Sequence, residues 1–395
     1  MKASDKQDTG FQTTAVVTVA AAHFVHDTYT GFVAPLLPKL IDKLELSLTL
    51  AGSLVLLLRL PALAQPLIGH WADRTDTRIF VVLAPAITAI VMSLIGLADS
   101  YPALAALLVI VGISSASFHA PAPAMIGRVA GQRVGRGMSL FMVGGELGRA
   151  VGPLVAVTAV SLWGLAGLWR TMVLGLSATL VLGLRLRRLR YTAEQREVPR
   201  FWASLRRVGP AIAPLGGLVL ARSLVVATTA TYLPTMLTRR GVSLLLAGGA
   251  LTIFETAGIA GALLSGTLSD VLGRRRVLGV VLGCAPLLLL GALHASGALL
   301  AVMLVLLGLC GLAIQPILLA TVQDRSGGNR GTANGLYLSM SFVGQATAIM
   351  AVGALGDVIG LERALHVSAL ASFALLPFLR FVPAQPGGSD RGAAG

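Results

Sequence analysis

Nine ionisable side chains fall inside stretches otherwise apolar enough to be buried: His23, His26, Asp27, Arg59, His119, Glu146, Arg149, Arg222 and Glu255. His23 and Asp27 are four residues apart, so on a helix they share one face, and His26 adjoins them. Imidazole and carboxylate one turn apart can pass or share a proton, which makes this cluster the first candidate for proton chemistry. The structural alternative is that a histidine caps a backbone carbonyl while Asp27 pairs with an arginine. Glu255, isolated in an apolar run, is the second candidate proton carrier. Glu146 and Arg149, three apart, either neutralise one another or face a ligand. Arg59 and Arg222 have no acidic residue one turn away, which leaves a cross-helix partner or a bound anion, and a guanidinium fork suits carboxylate or phosphonate. His119, just before Pro121 at an expected helix break, Gln315 beside Pro316, and Gln345 complete the candidate substrate ligands, with helix packing as their alternative role.

The elements holding these groups must cross a bilayer. The 395 residues are 55% hydrophobic and only 12% charged, with a mean hydropathy of +0.82. A soluble domain carries about 25% charged residues, so an ordinary soluble enzyme is excluded. Residues 79–98, 100–127, 150–169, 277–323 and 331–356 contain no Asp, Glu, Lys or Arg. About 20 such residues span the hydrocarbon core as a helix. Cys284 and Cys310 both lie in apolar runs, too few for a disulfide framework or a thiolate zinc site, and no metal or cofactor is expected. Residues 1–12 are polar and of mixed charge, so no cleaved signal peptide is expected.

Charged and Pro/Gly-rich breaks divide the chain into twelve expected helices, near 13–37, 47–70, 79–98, 102–127, 138–160, 168–184, 210–237, 244–268, 277–295, 298–322, 332–354 and 361–380. The net charge of +14 would suggest nucleic acid in a soluble protein. Here 22 of the 31 basic residues fall on one set of connectors and six on the other, so the positive-inside rule places both termini in the cytoplasm. The expectation is an all-α polytopic protein in two six-helix halves, 1–184 and 210–380, joined by a cytoplasmic central loop at 185–209 and followed by a cytoplasmic tail at 381–395.

The halves repeat. Gly69 to Gly266, Asp73 to Asp270 and Arg78 to Arg275 are each 197 residues apart, in basic turns after the second and eighth helices. Parallel six-helix repeats are the signature of a transporter with its site near the midplane. These turns, with Arg74 in the first and Gly273 and Arg274 in the second, resemble motif A of the major facilitator superfamily. That resemblance implies a gating role for them, a latch stabilising the outward-facing state. The first copy departs from the motif with Asp76 in place of glycine, the second with Val271 in place of arginine. In the fifth helix Gly144, Gly148, Gly152 and Pro153 resemble the antiporter motif: small residues four apart permit close helix approach and the proline bends the helix. The runs around His23, Leu46 to Thr49, Gln65 to Asp73, Ser114 to Pro121 and Gly144 to Pro153 resemble the fosmidomycin-resistance branch of that superfamily.

The resemblance implies a proton-coupled exporter of a small drug or metabolite in a bacterial-type inner membrane, with substrate, protons and lipid as its partners and a monomeric state. A same-fold alternative is a proton symporter or uniporter importing a small organic anion. ATP-driven pumping has no GxxxxGK[ST] loop to support it, and a membrane-embedded hydrolase has neither a zinc motif nor a GxSxG elbow.

Overall fold

The computed structural model describes residues 11–65, 78–131, 133–186, 206, 209–325 and 330–382, and all regular structure among them is helical. The helices are α1 (Thr13–Thr30), α2 (Val33–Leu44), α3 (Leu48–Arg59), α4 (Arg78–Leu94), α5 (Tyr101–His119), α6 (Pro121–Val129), α7 (Val134–Trp163) and α8 (Met172–Leu186). They continue with α9 (Gly216–Arg222), α10 (Thr228–Arg239), α11 (Leu244–Leu272), α12 (Arg274–His294), α13 (Gly297–Asp324), α14 (Arg330–Ile359) and α15 (Leu361–Phe373).

Among the described residues ten helices are long and apolar enough to cross a membrane, and Leu48–Ala64 is a shorter apolar helix. The first expected span falls outside the ten because α1 carries two histidines, an aspartate and five threonines, and because the helix breaks at Gly31 before resuming as α2. The expected break after His119 is present: α5 ends there and α6 starts at Pro121, whose missing N–H suits a first helical position. Arg222 is followed by a π-helical turn, Ser223–Ala227, inside one long span. Large apolar side chains cover the outer faces; on α8, Leu174 is 66% and Leu180 64% exposed, a surface stable against lipid tails rather than water.

The chain forms two compact units, residues 1–33 with 57–197, and residues 34–56 with 198–395. In the first, α1 packs chiefly on α7 through glycines of α7. A Cβ at Gly144 would strike the Ala20 carbonyl, at Gly148 the Phe24 carbonyl and at Gly152 the Thr28 carbonyl. The four-residue spacing therefore lets two helix backbones touch along one seam. Phe118, Phe141, Met125 and Ile126 fill the adjoining core.

In the second unit the same device joins α11 to α13. Gly261 lies against the Leu309 carbonyl, and Gly308 against that of Phe254. The basic turn expected after the eighth helix is shorter than its sequence suggests: α11 runs through Gly266 and Asp270 to Leu272, and only Gly273 interrupts it before α12. Gly273 sits at φ +90°, a conformation that side chains resist. Residues 34–56 pack here as well. The Asp357 carboxylate accepts from the Leu48 and Thr49 amides at 2.6 and 2.9 Å and from the Thr49 hydroxyl at 2.6 Å, capping α3 from another helix. The Tyr232 hydroxyl reaches the Ile349 and Leu48 carbonyls at 3.0 and 3.3 Å.

Asp357→Ala should destabilise the protein by about 1 kcal/mol, the usual worth of a helix cap. It should also speed hydrogen exchange at the Leu48 and Thr49 amides. Unchanged exchange there would show that the cap does not hold α3.

Candidate functional site

The polar residues of α1 and α5 converge inside the first unit. His23, His26 and Asp27 are 4%, 0% and 5% exposed, so the cluster is removed from bulk water. His23 Nε2 lies 3.3 Å from Asp27 Oδ2, His119 Nε2 lies 3.5 Å from Asp27 Oδ1, and the two Nε2 atoms are 3.2 Å apart. Three residues from two helices thus bring two ring nitrogens and both oxygens of one carboxylate together, a triangle of three side chains.

The opposite ring nitrogens fix what those atoms are. His23 Nδ1 donates to the Phe141 carbonyl at 2.8 Å and His119 Nδ1 to the Ser115 carbonyl at 2.9 Å. A carbonyl only accepts, so both Nδ1 atoms carry hydrogen, and in neutral imidazoles both Nε2 atoms present lone pairs. Two lone pairs and a carboxylate facing one another within 3.5 Å repel strongly where water is absent. The arrangement calls for a positive charge among them: one proton on an Nε2, making an imidazolium that bonds to its neighbours, or a metal ion. Sequence reading assigned no metal, yet these three residues place one ligand atom each within 4.8 Å of the others.

The rings are held from several sides. His23 stacks on Phe141 with centroids 4.1 Å apart, and His26 stacks on Phe118 at 4.9 Å. Gly145 lies flat against the His23 ring, where a Cβ would overlap Cε1 and Nε2, and a Cβ at Gly148 would approach that of Asp27 at 3.1 Å. The glycine run of α7 therefore seats the two chemistry-bearing side chains of α1. Neither ring nitrogen of His26 has a hydrogen-bond partner among the described residues, although its ring lies edge-on to His119 at 5.3 Å.

A family model for the Major Facilitator Superfamily matches residues 19–348 and 218–395. The chain belongs to that superfamily. It is a membrane transporter rather than an enzyme. It is 26% identical over 370 residues to the fosmidomycin resistance protein of Escherichia coli (strain K12), covering 89% of this chain and 88% of that one. It is also 26% identical over 381 residues to the MFS-type transporter YfnC of Bacillus subtilis (strain 168), covering 93% and 92%. Among solved structures it resembles a bacterial homologue of the human lysosomal transporter Spinster in an inward-facing, unoccupied conformation, with a TM-score of 0.78, 17% identity and coverage of 96% and 98%. It also resembles a D-xylose–proton symporter, at TM-score 0.71, 14% identity and coverage of 96% and 99%. The solved structures show the major facilitator fold, and membership of the superfamily makes the chain a multi-pass membrane protein that acts on small molecules.

The remaining expected residues of this superfamily member distribute as follows. Glu146 and Arg149 form an ion pair on α7. Arg59 is the last residue of α3 and is exposed. In the second unit, buried Arg222 donates from Nη2 to Gln315 Oε1 at 2.8 Å, while Glu255 on α11 and Gln345 on α14 are half-buried. In the second motif-A copy Arg274 pairs with both Asp270, at 3.8 Å, and Asp324, and Arg275 follows in the same helix; a Cβ on Gly266 would meet nothing within 4 Å. Gly69, Asp73 and Arg74 lie outside the described residues, and Arg78 is described only as the first residue of α4. Sequence reading placed His119 with the substrate ligands and missed Gly145, Asp357 and the two anchoring carbonyls. Only Gly145 left a trace, as one more glycine beside Gly144.

Gly145→Ala should cost about 1–3 kcal/mol as an overpacked contact. Gly249→Ala, on α11 where a Cβ meets nothing within 4 Å, should be neutral or stabilising by up to about 1 kcal/mol. Thermal unfolding of both variants checks the contrast; equal midpoints would mean that the His23 ring yields freely.

Proposed function

We propose that this transporter is a proton-coupled exporter of small drug-like or metabolite molecules, and that its coupling proton resides on the His23–Asp27–His119 triangle. The observation carrying this reading is the convergence of two imidazole lone pairs and a carboxylate within 3.5 Å, in a site that a proton relieves. With the proton present the triangle is neutral as an imidazolium and a carboxylate; without it the net charge is −1. A buried site cycling between these states binds and releases one proton per turnover as water reaches it from alternate sides. The half-exposed side chain of His119, at 29%, is the natural entry point, against 5% and 7% for His23 and Asp27.

Export is supported by the similarity to the fosmidomycin resistance protein. Antiport requires cargo and proton to compete, and a cationic or zwitterionic cargo does so by offering its own positive charge to the deprotonated triangle. The glycines of α7 that seat His23 and Asp27 belong to the stretch resembling the antiporter motif, which connects α7 packing to the same proton. In this reading both termini are cytoplasmic, the two six-helix halves alternate access, the motif-A turns gate the cytoplasmic side, and the monomer is the working unit. Glu255 is a second proton carrier on α11. Buried Arg222 with Gln315 favours one alternative, symport of a small organic anion, because a guanidinium that already donates in a planar fork suits a carboxylate.

Liposomes loaded with a pH-sensitive dye, challenged with phosphonates, organic anions and cationic drugs, test the reading. The wild type should move protons opposite to a cationic or zwitterionic cargo, and Asp27→Asn should abolish proton movement while leaving a folded protein. Proton flux that persists unchanged in Asp27→Asn would remove the triangle from the coupling step. Protons moving together with an anion would establish the symport alternative.

A further inference from the structure

The geometry points to a second occupant of the same triangle: we infer that His23, Asp27 and His119 bind a divalent transition-metal ion of the zinc, cobalt and nickel class, and that the bound ion arrests transport. The binding half stands on the structure alone, while the arrest rests on the proton-coupling reading above.

The donor spacing carries the inference. Metal–ligand bonds of about 2.0–2.2 Å in a tetrahedron place neighbouring donor atoms roughly 3.3 Å apart. Here the two Nε2 atoms are 3.2 Å apart, that of His23 lies 3.3 Å from Asp27 Oδ2 and that of His119 3.5 Å from Asp27 Oδ1, and one donor atom from each residue lies within 4.8 Å of the others. Two imidazole nitrogens and one carboxylate oxygen are also the donor types that zinc and its neighbours accept, whereas calcium and magnesium take oxygen-only shells. The outer contacts match as well. Each ligand imidazole gives its remaining N–H to a backbone carbonyl, of Phe141 and of Ser115, the arrangement that fixes tautomer and ring direction in metal sites. His23 and Asp27 supply two donors from one helical turn and α5 supplies the third. The 29% exposed His119 side chain gives water access to the site as a fourth ligand.

Charge explains the arrest. The triangle carries −1 when empty and zero with its proton, but +1 with a divalent ion. An extra positive charge inside the membrane is costly, and neither step of the proton cycle passes through that state. The ion also occupies the lone pairs the proton needs. A second histidine pair, His294 and His366, has its Nε2 atoms 3.4 Å apart, but it is exposed and the nearby Glu362 carboxylate is engaged by Arg240 at 2.6 Å. Among the described residues it has no third converging donor, and it serves as the control for surface binding.

The test uses untagged full-length protein in lipid nanodiscs, in a His294→Gln/His366→Gln background. Zn2+ is titrated calorimetrically and Co2+ by visible absorption, whose intense bands report four-coordination. The expected result is one ion per chain with a four-coordinate cobalt spectrum, a zinc-dependent rise in Tm, and affinity weakened about tenfold or more in His119→Gln and in Asp27→Asn. No stoichiometric ion in the background protein, or an affinity in both variants equal to that of the background protein, would overturn the site. The Tm of each variant without metal shows whether it is folded, and a variant that has lost its fold is replaced by His23→Gln. In liposomes, Zn2+ should stop proton-coupled transport in the background protein. Transport that continues with zinc bound would overturn the arrest alone, and coupling that survives Asp27→Asn while zinc still binds the parent protein would overturn the proton reading alone.

Discussion

Two imidazoles and a carboxylate, each pair in contact at 3.2–3.5 Å with His23 and Asp27 nearly out of reach of water, form the constraint around which the first unit is arranged. Such a group is unstable by itself and stable with one positive charge in its midst. Everything nearby serves to keep these groups from separating: the Phe141 and Ser115 carbonyls anchor the rings from behind, Phe141 stacks on His23 while Phe118 packs tilted against it, and α7 leaves no side chain at Gly145 that would push His23 aside. Affinity for a positive charge is therefore built into the packing of α1, α5 and α7 rather than into any single residue.

The same packing connects chemistry to mechanics. Gly145, which seats His23, lies within the glycine seam of Gly144, Gly148 and Gly152 that brings the α1 and α7 backbones into contact, and Gly148 also meets Asp27, so a shift of α7 along α1 would change the surroundings of both side chains directly. His23 and Asp27 are 5% and 7% exposed, so the cost of an unbalanced charge there is carried largely by the helices themselves. In the proposed proton-coupled cycle this helix seam is the coupling element.

Much of this was legible in the sequence. The charge-free runs, the basic connectors and the 197-residue repeat carried the fold, since bilayer thickness and the positive-inside rule act through composition alone. The His23–Asp27 spacing exposed half of the site, because helical periodicity fixes neighbours one turn apart. His119 joins them from a helix 96 residues away, a tertiary pairing that no local spacing encodes. The tautomers were hidden for the same reason: they depend on which backbone carbonyl each ring meets. Asp357 lies near the end of its helix beside glycines and reads as an ordinary terminal charge, and its role as a cap for α3 appears only once residues 34–56 are seen packed in the second unit. The length of the motif-A turn was overestimated because glycine and arginine suggest a loop, whereas a single residue at φ +90° suffices to turn the chain.

The most direct measurement of the central claim is nitrogen NMR of protein labelled with 15N-histidine, with His23 and His119 assigned by single substitution. The account predicts that both Nδ1 atoms are protonated and that the pair holds one additional proton on Nε2 at neutral pH, a shared imidazolium beside the Asp27 carboxylate. Two neutral imidazoles, with hydrogen on Nε2 and bare Nδ1 atoms, would contradict it.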